Sequence, residues 1–293
     1  MDRIIRCITS DGGIMACAID STYIVATAQQ IHGTSPVATA ALGRLLTGAS
    51  MMGSMLKKES ASITLKISGG GPLGALIAIA DSNGNCRGCI DHPEVELPLK
   101  PNGKLDVGKA VGHNGLLGVM RDFGEGRPYS GQVEIISGEI AEDITSYFAT
   151  SEQIPTVCAL GVLVDKTDVK QVLAGGMLIQ TLPGADQAAI DKLEKNINAM
   201  DSVTTMLANG MSIEEMCQTA LKGFEMEVLD EFKVGYACNC SKERVERAIA
   251  TLSPEEIISL SDEKGFAEAT CEYCKHTYQL SRQELELIAS QKA

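Results

Sequence analysis

Four of the ten cysteines lie in the last fifth of the chain, in two closely spaced pairs. One residue separates Cys238 from Cys240, two separate Cys271 from Cys274, and thirty residues lie between the pairs. Each pair can supply one edge of a tetrahedron of thiolate ligands around Zn²⁺. Four thiolates leave no position for a catalytic water, so the pattern predicts one structural zinc ion per chain.

His276 follows the second pair closely enough to replace one thiolate as a ligand. A histidine in an exposed turn is the favoured interpretation, so we expect the four cysteines to form the site without it.

Zinc-bound cysteines also have a reactivity of their own, because peroxide and hypochlorite attack the thiolate form of cysteine. Zinc binding contributes on the order of 10–16 kcal/mol to small zinc domains, whereas whole domains are stable by only roughly 5–15 kcal/mol. Oxidation that releases zinc would therefore unfold a small module built around these cysteines. A permanent structural zinc site is the alternative that the spacing alone leaves open.

The 293-residue chain is acidic, with a formal net charge of −13 at pH 7. This charge opposes binding to nucleic acid or anionic membranes, because both need clustered Lys and Arg side chains. The N-terminus lacks the features of a signal peptide, and Arg44 interrupts the longest stretch of low charge, residues 34–56. We therefore expect a cytoplasmic protein without a membrane span, in a reducing compartment where cysteine clusters bind metal or sense redox state.

Cys86-Arg-Gly-Cys89 has the spacing of a thiol oxidoreductase motif. If these residues continue a strand, the two side chains point to opposite faces with Cα atoms about 10 Å apart, beyond the roughly 7 Å limit for a disulfide. We therefore expect incidental core or edge thiols here. The remaining cysteines lie in apolar patterns and are expected to act as small hydrophobic residues: Cys7, Cys17, Cys158 and Cys217.

Gly69-x-Gly71-x-x-Gly74 matches the dinucleotide-binding fingerprint by letter, but Pro72 interrupts it and an apolar strand follows where a helix is needed. A tight connection between strands is the favoured interpretation. The chain shows no nucleophile with a plausible base and no carboxylate pair in an acid/base setting, so we expect no enzymatic activity.

The first 182 residues predict an α+β domain with antiparallel hairpins. Residues 62–68 alternate apolar and polar side chains, which is typical of a strand with one buried face. Asn83-Gly84 between two apolar runs predicts a hairpin. Further strands are expected at residues 131–136, 157–164 and 177–180, and helices at residues 36–57 and 139–151.

Residues 183–232 predict a helical linker. The segment carries ten acidic and three basic side chains, and Ser212 with Glu215 forms a capping box. Its methionines either fill gaps in a core or form an adaptable apolar surface for many partners. On the second interpretation, the expected client-contact residues are Met200, Met206, Met211 and Met216.

Residues 233–293 predict a small C-terminal zinc-binding module. Ser253 with Glu256 forms a capping box with Pro254 at the first helical position, and Ser281 with Glu284 forms another. Short helices are therefore expected between and after the two cysteine turns.

Cys238-Asn-Cys240-Ser-Lys-Glu-Arg and Cys271-Glu-Tyr-Cys274 resemble the zinc motifs of the redox-regulated 33-kilodalton heat-shock chaperone family. The likeness covers almost the whole chain. It includes the stretches TSPVATAALGRLL, GGGPLGALIAIAD, GKLDVGKAVG, GQVEIISGEIAEDITSYFATSEQIP and LAGGMLIQTLPG. Cysteines at positions 86 and 89 depart from what the family leads us to expect.

The resemblance implies a holdase without an ATP cycle, inactive while reduced and zinc-loaded. Under oxidative stress Cys238 would pair with Cys240 and Cys271 with Cys274, zinc would leave, and the module and linker would unfold. The exposed apolar surface would then bind unfolding or damaged client proteins, and a homodimer is possible, especially after oxidation.

Two functions of other classes stay open at this point. A zinc-dependent nucleic-acid-binding protein is disfavoured by the acidic charge, and a thiol oxidoreductase would have to use Cys86 and Cys89.

Overall fold

The computed structural model describes residues 2–165, 171–262 and 265–290. Its contacts divide the chain into an N-terminal unit, Met1–Ala237, and a C-terminal unit, Cys238–Ala293. In the N-terminal unit the described strands are β1 (Asp2–Thr9), β2 (Ile14–Asp20), β3 (Ser62–Ser68), β4 (Leu76–Asp81), β5 (Cys86–Ile90), β6 (Leu116–Asp122), β7 (Tyr129–Glu134), β8 (Thr156–Val164), β9 (Val172–Thr181) and β10 (Met226–Val234). The described helices are α1 (Thr22–His32), α2 (Pro36–Ser54), α3 (Val107–Val111), α4 (Ala141–Tyr147), α5 (Gln187–Asn198), α6 (Val203–Ala208) and α7 (Ile213–Ala220).

Two five-stranded antiparallel sheets form the frame of this unit. The first sheet has the order β10-β1-β2-β9-β8, and the second has the order β5-β4-β3-β6-β7. Hairpins join β1 to β2, β4 to β5 and β6 to β7, and β8 pairs antiparallel with β9. The α+β architecture predicted from the sequence is confirmed.

Helix α2 packs against strands of both sheets, and its residues belong to the main hydrophobic core. The Ser35 hydroxyl accepts a hydrogen bond from the Ala38 amide, and Pro36 occupies the first turn, where its missing N–H is not needed. Small residues let the helix approach closely, because a Cβ at Gly43 would lie only 3.0 Å from Val162 of β8. In the part of the chain that the structure describes, no helix is both long and apolar enough to cross a bilayer.

Helices α5, α6 and α7 cover the opposite face of the first sheet. They bury a second core cluster in which Leu193, Met206 and Met216 meet sheet residues such as Ile5 and Ile179. We call residues 187–220 the helical segment.

The sequence prediction for the linker is wrong in its last part, because residues from Met226 onward form strand β10 rather than a helix. Phe232 and Val234 contact the main core. On the same strand, Asp230 forms an ion pair with Arg6 of β1 at 2.5 Å. These tertiary contacts with β1 outweigh the helical character suggested by the acidic, Met-rich composition.

The other predicted elements are present with shifted ends. The helix expected at residues 36–57 ends at Ser54, and the helix expected at 139–151 begins at Ala141 and passes into a π-helical turn, Phe148–Glu152. The expected hairpin forms with Gly84 at φ 81°, in the region that favours glycine.

The glycine-rich stretch after β3 is the tight connection expected from the sequence. A Cβ at Gly69 would lie 2.2 Å from the carbonyl oxygen of Gly112, and one at Gly71 would lie 2.3 Å from that of Ala110. The glycines therefore permit close backbone contact next to α3, which is a different role from binding a phosphate.

The described elements of the C-terminal unit are α8 (Lys242–Ile249), α9 (Pro254–Ser259), β11 (Phe266–Thr270), β12 (Thr277–Ser281) and α10 (Arg282–Ser290). The two strands form an antiparallel hairpin. Both predicted capping boxes are present, with the Ser253 hydroxyl accepting from the Glu256 amide and the Ser281 hydroxyl accepting from the Glu284 amide.

Candidate metal centre

Strands β11 and β12 place the second cysteine pair in the turn that joins them. The Cys271 amide donates to the carbonyl of His276 at 2.9 Å, and the Lys275 amide donates to the carbonyl of Cys271 at 2.8 Å. Lys275 has a φ of 58°, so the chain reverses sharply just after Cys274. This tight turn brings Cys271 and Cys274 to the same end of the hairpin.

The first pair lies just before α8. The Ser241 hydroxyl caps this helix by accepting from the Arg244 amide, and the Arg244 guanidinium donates to the side-chain oxygen of Asn239 at 2.8 Å. The residue between the two cysteines and the residue after them are thus both tied to the first turn of α8, which orients Cys238 and Cys240.

The four sulfur atoms converge on one point. All of them lie within 4.8 Å of one another, with Cys238 Sγ 3.7 Å from Cys271 Sγ and Cys240 Sγ 3.4 Å from Cys274 Sγ. The edge of a tetrahedron with metal–sulfur bonds of 2.3 Å is about 3.8 Å, so these separations fit a tetrahedral ligand shell. The four thiols could therefore hold a metal ion.

Tyr278 of β12 is a further member of the site. Its hydroxyl donates a hydrogen bond to Cys240 Sγ at 3.1 Å, and this bond lowers the pKa of the Cys240 thiol to about 7. The same bond raises the pKa of Tyr278 to about 12, which keeps the hydroxyl protonated as a donor. Burial raises the pKa of Cys238 to about 12. The environment therefore favours one thiolate among the four before any cation is considered.

The hydrophobic core that supports this site is small. Among the described residues, its buried members are Ile257, Ala267, Leu280, Leu285 and Ala289. An ion pair of 2.5 Å between Lys242 and Glu284 joins the starts of α8 and α10. Domains of this size rarely obtain more than about 3–5 kcal/mol from a hydrophobic core, so a metal ion would be a major part of the module's stability.

His276 lies outside the group of thiols. Its side chain is exposed, and its ring packs edge-on against Tyr278 with the ring centroids 4.6 Å apart. This agrees with the expectation of a histidine in an exposed turn.

Cys86 and Cys89 are both on β5, at positions that face opposite sides of the strand. Cys86 is completely buried and burial raises the pKa of its thiol, whereas Cys89 is half-buried. The strand geometry that argued against a redox pair is therefore present. The remaining cysteines of the N-terminal unit are buried in its hydrophobic clusters, as expected: Cys7, Cys17, Cys158 and Cys217.

The four linker methionines named above as client contacts belong to the helical segment and its connections, which pack on the first sheet. Met206 and Met216 are fully buried in the cluster beneath the helical segment, and Met200 and Met211 are partly buried against it.

Two interactions were not foreseen from the sequence. Tyr278 was unremarkable because it differs from other strand tyrosines only through its position in the hairpin register. Arg3 of β1 makes a two-fold ion pair with Glu214 of α7, which ties the helical segment to the sheet across more than two hundred residues. Neither contact can be predicted from neighbouring residues in the sequence, because each joins residues that only the tertiary fold brings together.

Comparisons with known proteins agree over almost the whole chain. The sequence profile described as Hsp33 protein matches residues 2–281. The chain is 47% identical to the 33 kDa chaperonin of Lachnoclostridium phytofermentans, over 98% of each chain. It is 45% identical to the 33 kDa chaperonin of Acetivibrio thermocellus, over 100% of this chain and 99% of the relative.

A solved structure has the same fold. The crystal structure of the 33 kDa chaperonin (Heat shock protein 33 homolog) from Thermotoga maritima matches with a TM-score of 0.90 at 32% identity, covering 99% of this chain and 98% of that one. Profile, sequence relatives and fold agree over nearly the full length, and the chain belongs to the Hsp33 chaperone family.

Proposed function

We propose that this chaperone-family protein is an ATP-independent holdase that oxidation activates. The observation that carries the proposal is the convergence of four thiols within 4.8 Å of one another in a unit whose own core is small. A module of this kind is stable while its thiols share a metal ion and loses that stability when they are oxidised.

The ligands in the reduced protein are the thiolates of Cys238, Cys240, Cys271 and Cys274, and the ion is one Zn²⁺ per chain. An all-sulfur tetrahedral set favours zinc among the common cellular divalent ions. Through these four ligands, a bound zinc ion would cross-link the hairpin turn to the segment before α8. Because four protein ligands fill the coordination shell, the site has a structural role.

Oxidation removes the ligands in pairs. For each pair, two thiols and one hydrogen peroxide give one disulfide and two water molecules, so that two electrons pass from sulfur to the peroxide. We assign the pairs as Cys238–Cys240 and Cys271–Cys274, within the two turns. The cross-turn contacts of 3.7 Å and 3.4 Å make Cys238–Cys271 and Cys240–Cys274 the competing assignment.

Unfolding of the module would act on the N-terminal unit through the covalent connection between the two. Cys238 directly follows residues 235–237, which are hydrogen-bonded to Cys86 at the edge of β5. Beyond them lies β10, which pairs with β1 next to the sheet face covered by the helical segment. Loss of the folded module removes one of the constraints on this region, and the helices are too short to persist alone in water.

Release of the helical segment would expose an apolar face suited to unfolded clients. The sheet contributes Ile5, Ile14, Met177 and Ile179, and the helices contribute methionines that adapt to varied partners. The segment includes the expected client contacts Met200, Met206, Met211 and Met216. Its acidic side chains would keep the opened surface soluble.

The partners are unfolding or oxidatively damaged proteins in the cytoplasm, and the oxidised form is expected to be able to form a homodimer. The net charge of −13 argues against a nucleic-acid partner.

The deciding experiment measures aggregation of a thermally unfolding client with the reduced, zinc-loaded protein and the peroxide-treated protein side by side. We expect suppression only after oxidation, together with release of one zinc ion per chain to a colorimetric chelator. Equal suppression by both forms would contradict redox control. No suppression by either form would contradict the holdase function.

Disulfide mapping by mass spectrometry separates the two pairing schemes. Digestion between the cysteine turns leaves each peptide with its own internal disulfide if pairing occurs within turns. Cross-linked peptides that join residues 238–240 to residues 271–274 would contradict our assignment.

A further inference from the structure

A groove of about 850 Å³ runs beside strand β8 in the N-terminal unit. One wall is the start of α2, including Val37 and Ala40, together with Leu97 and Leu99 of the loop before α3. Residues 202–204 at the start of α6 line another side, and residues 160–165 of β8 and its end form the floor. None of these residues belongs to the thiol site.

Strand β8 is the last strand of the first sheet, so one edge of it has no neighbouring strand among the described residues. The Cys158 amide donates to the Thr145 hydroxyl of α4 at 3.1 Å, and it therefore points away from β9. Strand geometry alternates, so the N–H and C=O groups of Leu160, Val162 and Val164 point the same way. Within residues 2–165 and the other described ranges, no hydrogen bond to these outward groups is present.

The side chains around this edge are mainly apolar. Val162 and Val164 pack into the main core, and Leu163 on the other face is 45% exposed beside its cross-strand partner Leu173. An added strand would thus meet apolar surface on both of its faces.

Acidic and basic side chains are nearly balanced in the groove, and Arg44 and Lys100 are both paired with Glu139. Glu139 accepts from Arg44 at 2.6 Å and from Lys100 at 2.5 Å. With four acidic and three basic side chains in its lining, the groove has no concentrated charge of one sign, which favours an uncharged apolar occupant over an anionic one.

From this geometry we infer that the groove holds an extended apolar segment of a client polypeptide as an additional strand on β8. The inference rests on the proposed holdase function and names where a client would bind. The outward groups span residues 160–164, roughly 13 Å at about 3.3 Å per residue, which fits a segment of five or six residues. Thr145 of α4 closes the groove at the Cys158 end.

The helical segment controls access to this site. Residues 202–204, at the start of α6, line the groove. Thr204 lies very close to Gly161 of β8: a Cβ added at Gly161 would be 2.8 Å from the methyl carbon of Thr204. When the helical segment leaves the sheet, the groove loses this wall and opens to longer segments. Binding is therefore expected to be stronger in the oxidised protein.

The opposite edge of the same sheet is unsuited to this role. Strand β10 exposes Val228 and Leu229 but also carries Glu227, Asp230 and Glu231 along its edge. Charged side chains on an edge strand oppose the addition of another strand.

The test uses residue-resolved hydrogen exchange of the full-length protein by NMR. The probe is a synthetic seven-residue peptide with Val at three alternating positions and Thr between them. With saturating peptide and oxidised protein, we expect the amides of Leu160, Val162 and Val164 to exchange at least tenfold more slowly. The amides of Gly161 and Leu163, which point toward β9, should not change. Absence of protection at the three outward amides, or equal protection at all five, would overturn the inference.

A peptide N-methylated at the three valines is the matched control, because it keeps the side chains but cannot donate the strand hydrogen bonds. It should give no protection. Leu99→Ser should weaken binding of the unmethylated peptide about fivefold, since it removes an exposed apolar contact in the groove. Leu229→Ser, at a leucine equally exposed on β10, should leave the affinity unchanged.

Other outcomes separate this inference from the proposed function. If oxidised protein suppresses client aggregation while the three amides stay unprotected, the groove is not the client site although the holdase function stands. If the amides become protected without peptide as the protein concentration rises, a second copy of the chain occupies the edge, which also contradicts the inference.

Discussion

Tyr278 acts on the metal site through a single hydrogen bond to Cys240. The hydroxyl lies 3.1 Å from the sulfur and is carried by a strand whose partner, β11, leads directly into the other cysteine pair. A donor at this position holds the thiolate in the orientation that a metal ion requires. Groups that orient metal ligands typically change affinity by 10–100-fold when removed.

We therefore predict that Tyr278→Phe lowers zinc affinity by about tenfold, because the ring is kept while the hydrogen bond is lost. Competition with a chromogenic chelator measures this on reduced protein. Tyr129→Phe, which removes an exposed hydroxyl in the N-terminal unit, is the control and should have no effect. Unchanged zinc affinity in Tyr278→Phe would mean that the hydrogen bond does not contribute to the site.

The positions of Cys86 and Cys89 on β5 predict that these two thiols do not form a disulfide and take no part in activation. The two thiols face opposite sides of β5, so they cannot pair without disruption of the strand. We expect Cys86→Ala with Cys89→Ala to leave peroxide activation intact in the aggregation assay. Cys271→Ser with Cys274→Ser is the contrasting variant and should lose zinc. Loss of activation in a folded Cys86/Cys89 double variant would reveal a working redox pair.

At the scale of elements, α7 is held to the first sheet both by buried side chains and by an ion pair. It combines buried Met216 and Cys217 with the ion pair from Glu214 to Arg3 of β1. The second contact of that pair has Arg3 Nη2 at 2.8 Å from Glu214 Oε2. Both side chains are about one third exposed, so the pair is worth about 1 kcal/mol.

Glu214→Gln should therefore make the amides of α7 exchange about fivefold faster in the reduced protein, as expected for a loss of about 1 kcal/mol. Hydrogen exchange with mass spectrometry measures this, and the strand β3 serves as an internal reference. Glu286→Gln, which breaks the exposed ion pair with Arg282 on α10, should leave α7 unchanged. If α7 exchanges at the same rate in Glu214→Gln, the ion pair does not hold this helix.

The sequence predicted elements well where the signal is local. The alternation of residues 62–68, the Asn83-Gly84 turn and the serine caps each depend on neighbouring residues, and all three were found. Strand β10 was missed because its apolar residues become a strand only through pairing with β1. The spacing of the four cysteines singled them out in the sequence, but only the folded β11–β12 hairpin shows that their sulfur atoms converge. The contact of Tyr278 with Cys240 depends on the strand register, which the sequence does not reveal.

At the scale of the whole molecule, the two units differ in the size of the hydrophobic core that stabilises each of them. The main core of the N-terminal unit is large, whereas the core of the C-terminal unit has few buried residues. The C-terminal unit should therefore depend on metal far more than the N-terminal unit does.

We predict that a strong chelator with peroxide makes the amides of residues 238–290 exchange rapidly, followed by those of the helical segment, while β3 stays protected. Hydrogen exchange over time on reduced and treated protein measures the order. Chelator with a thiol reductant, followed by added zinc, is the control and should restore protection. A helical segment that remains protected while treated protein suppresses client aggregation would contradict the unfolding switch.

Both ends of the helical segment return to the same place in the first sheet. The Leu182 amide donates to the carbonyl of Gly13, and the Ser10 amide donates to the carbonyl of Glu225, so the chain leaves and re-enters beside the turn between β1 and β2. Strands β9 and β10 then anchor it on either side.

When it unfolds, the helical segment is consequently a closed loop with both ends anchored in the sheet, and not a free tail. Its conformational freedom is limited by the loop, and the cost of closing such a loop grows only slowly with its length. Its own helices remain near the sheet at an effective concentration on the order of millimolar, whatever the protein concentration in the cell. A bound client therefore competes for the sheet with the helical segment, which stays attached at both ends. Once the thiols are reduced again, the refolding segment can displace the client without help from any other molecule.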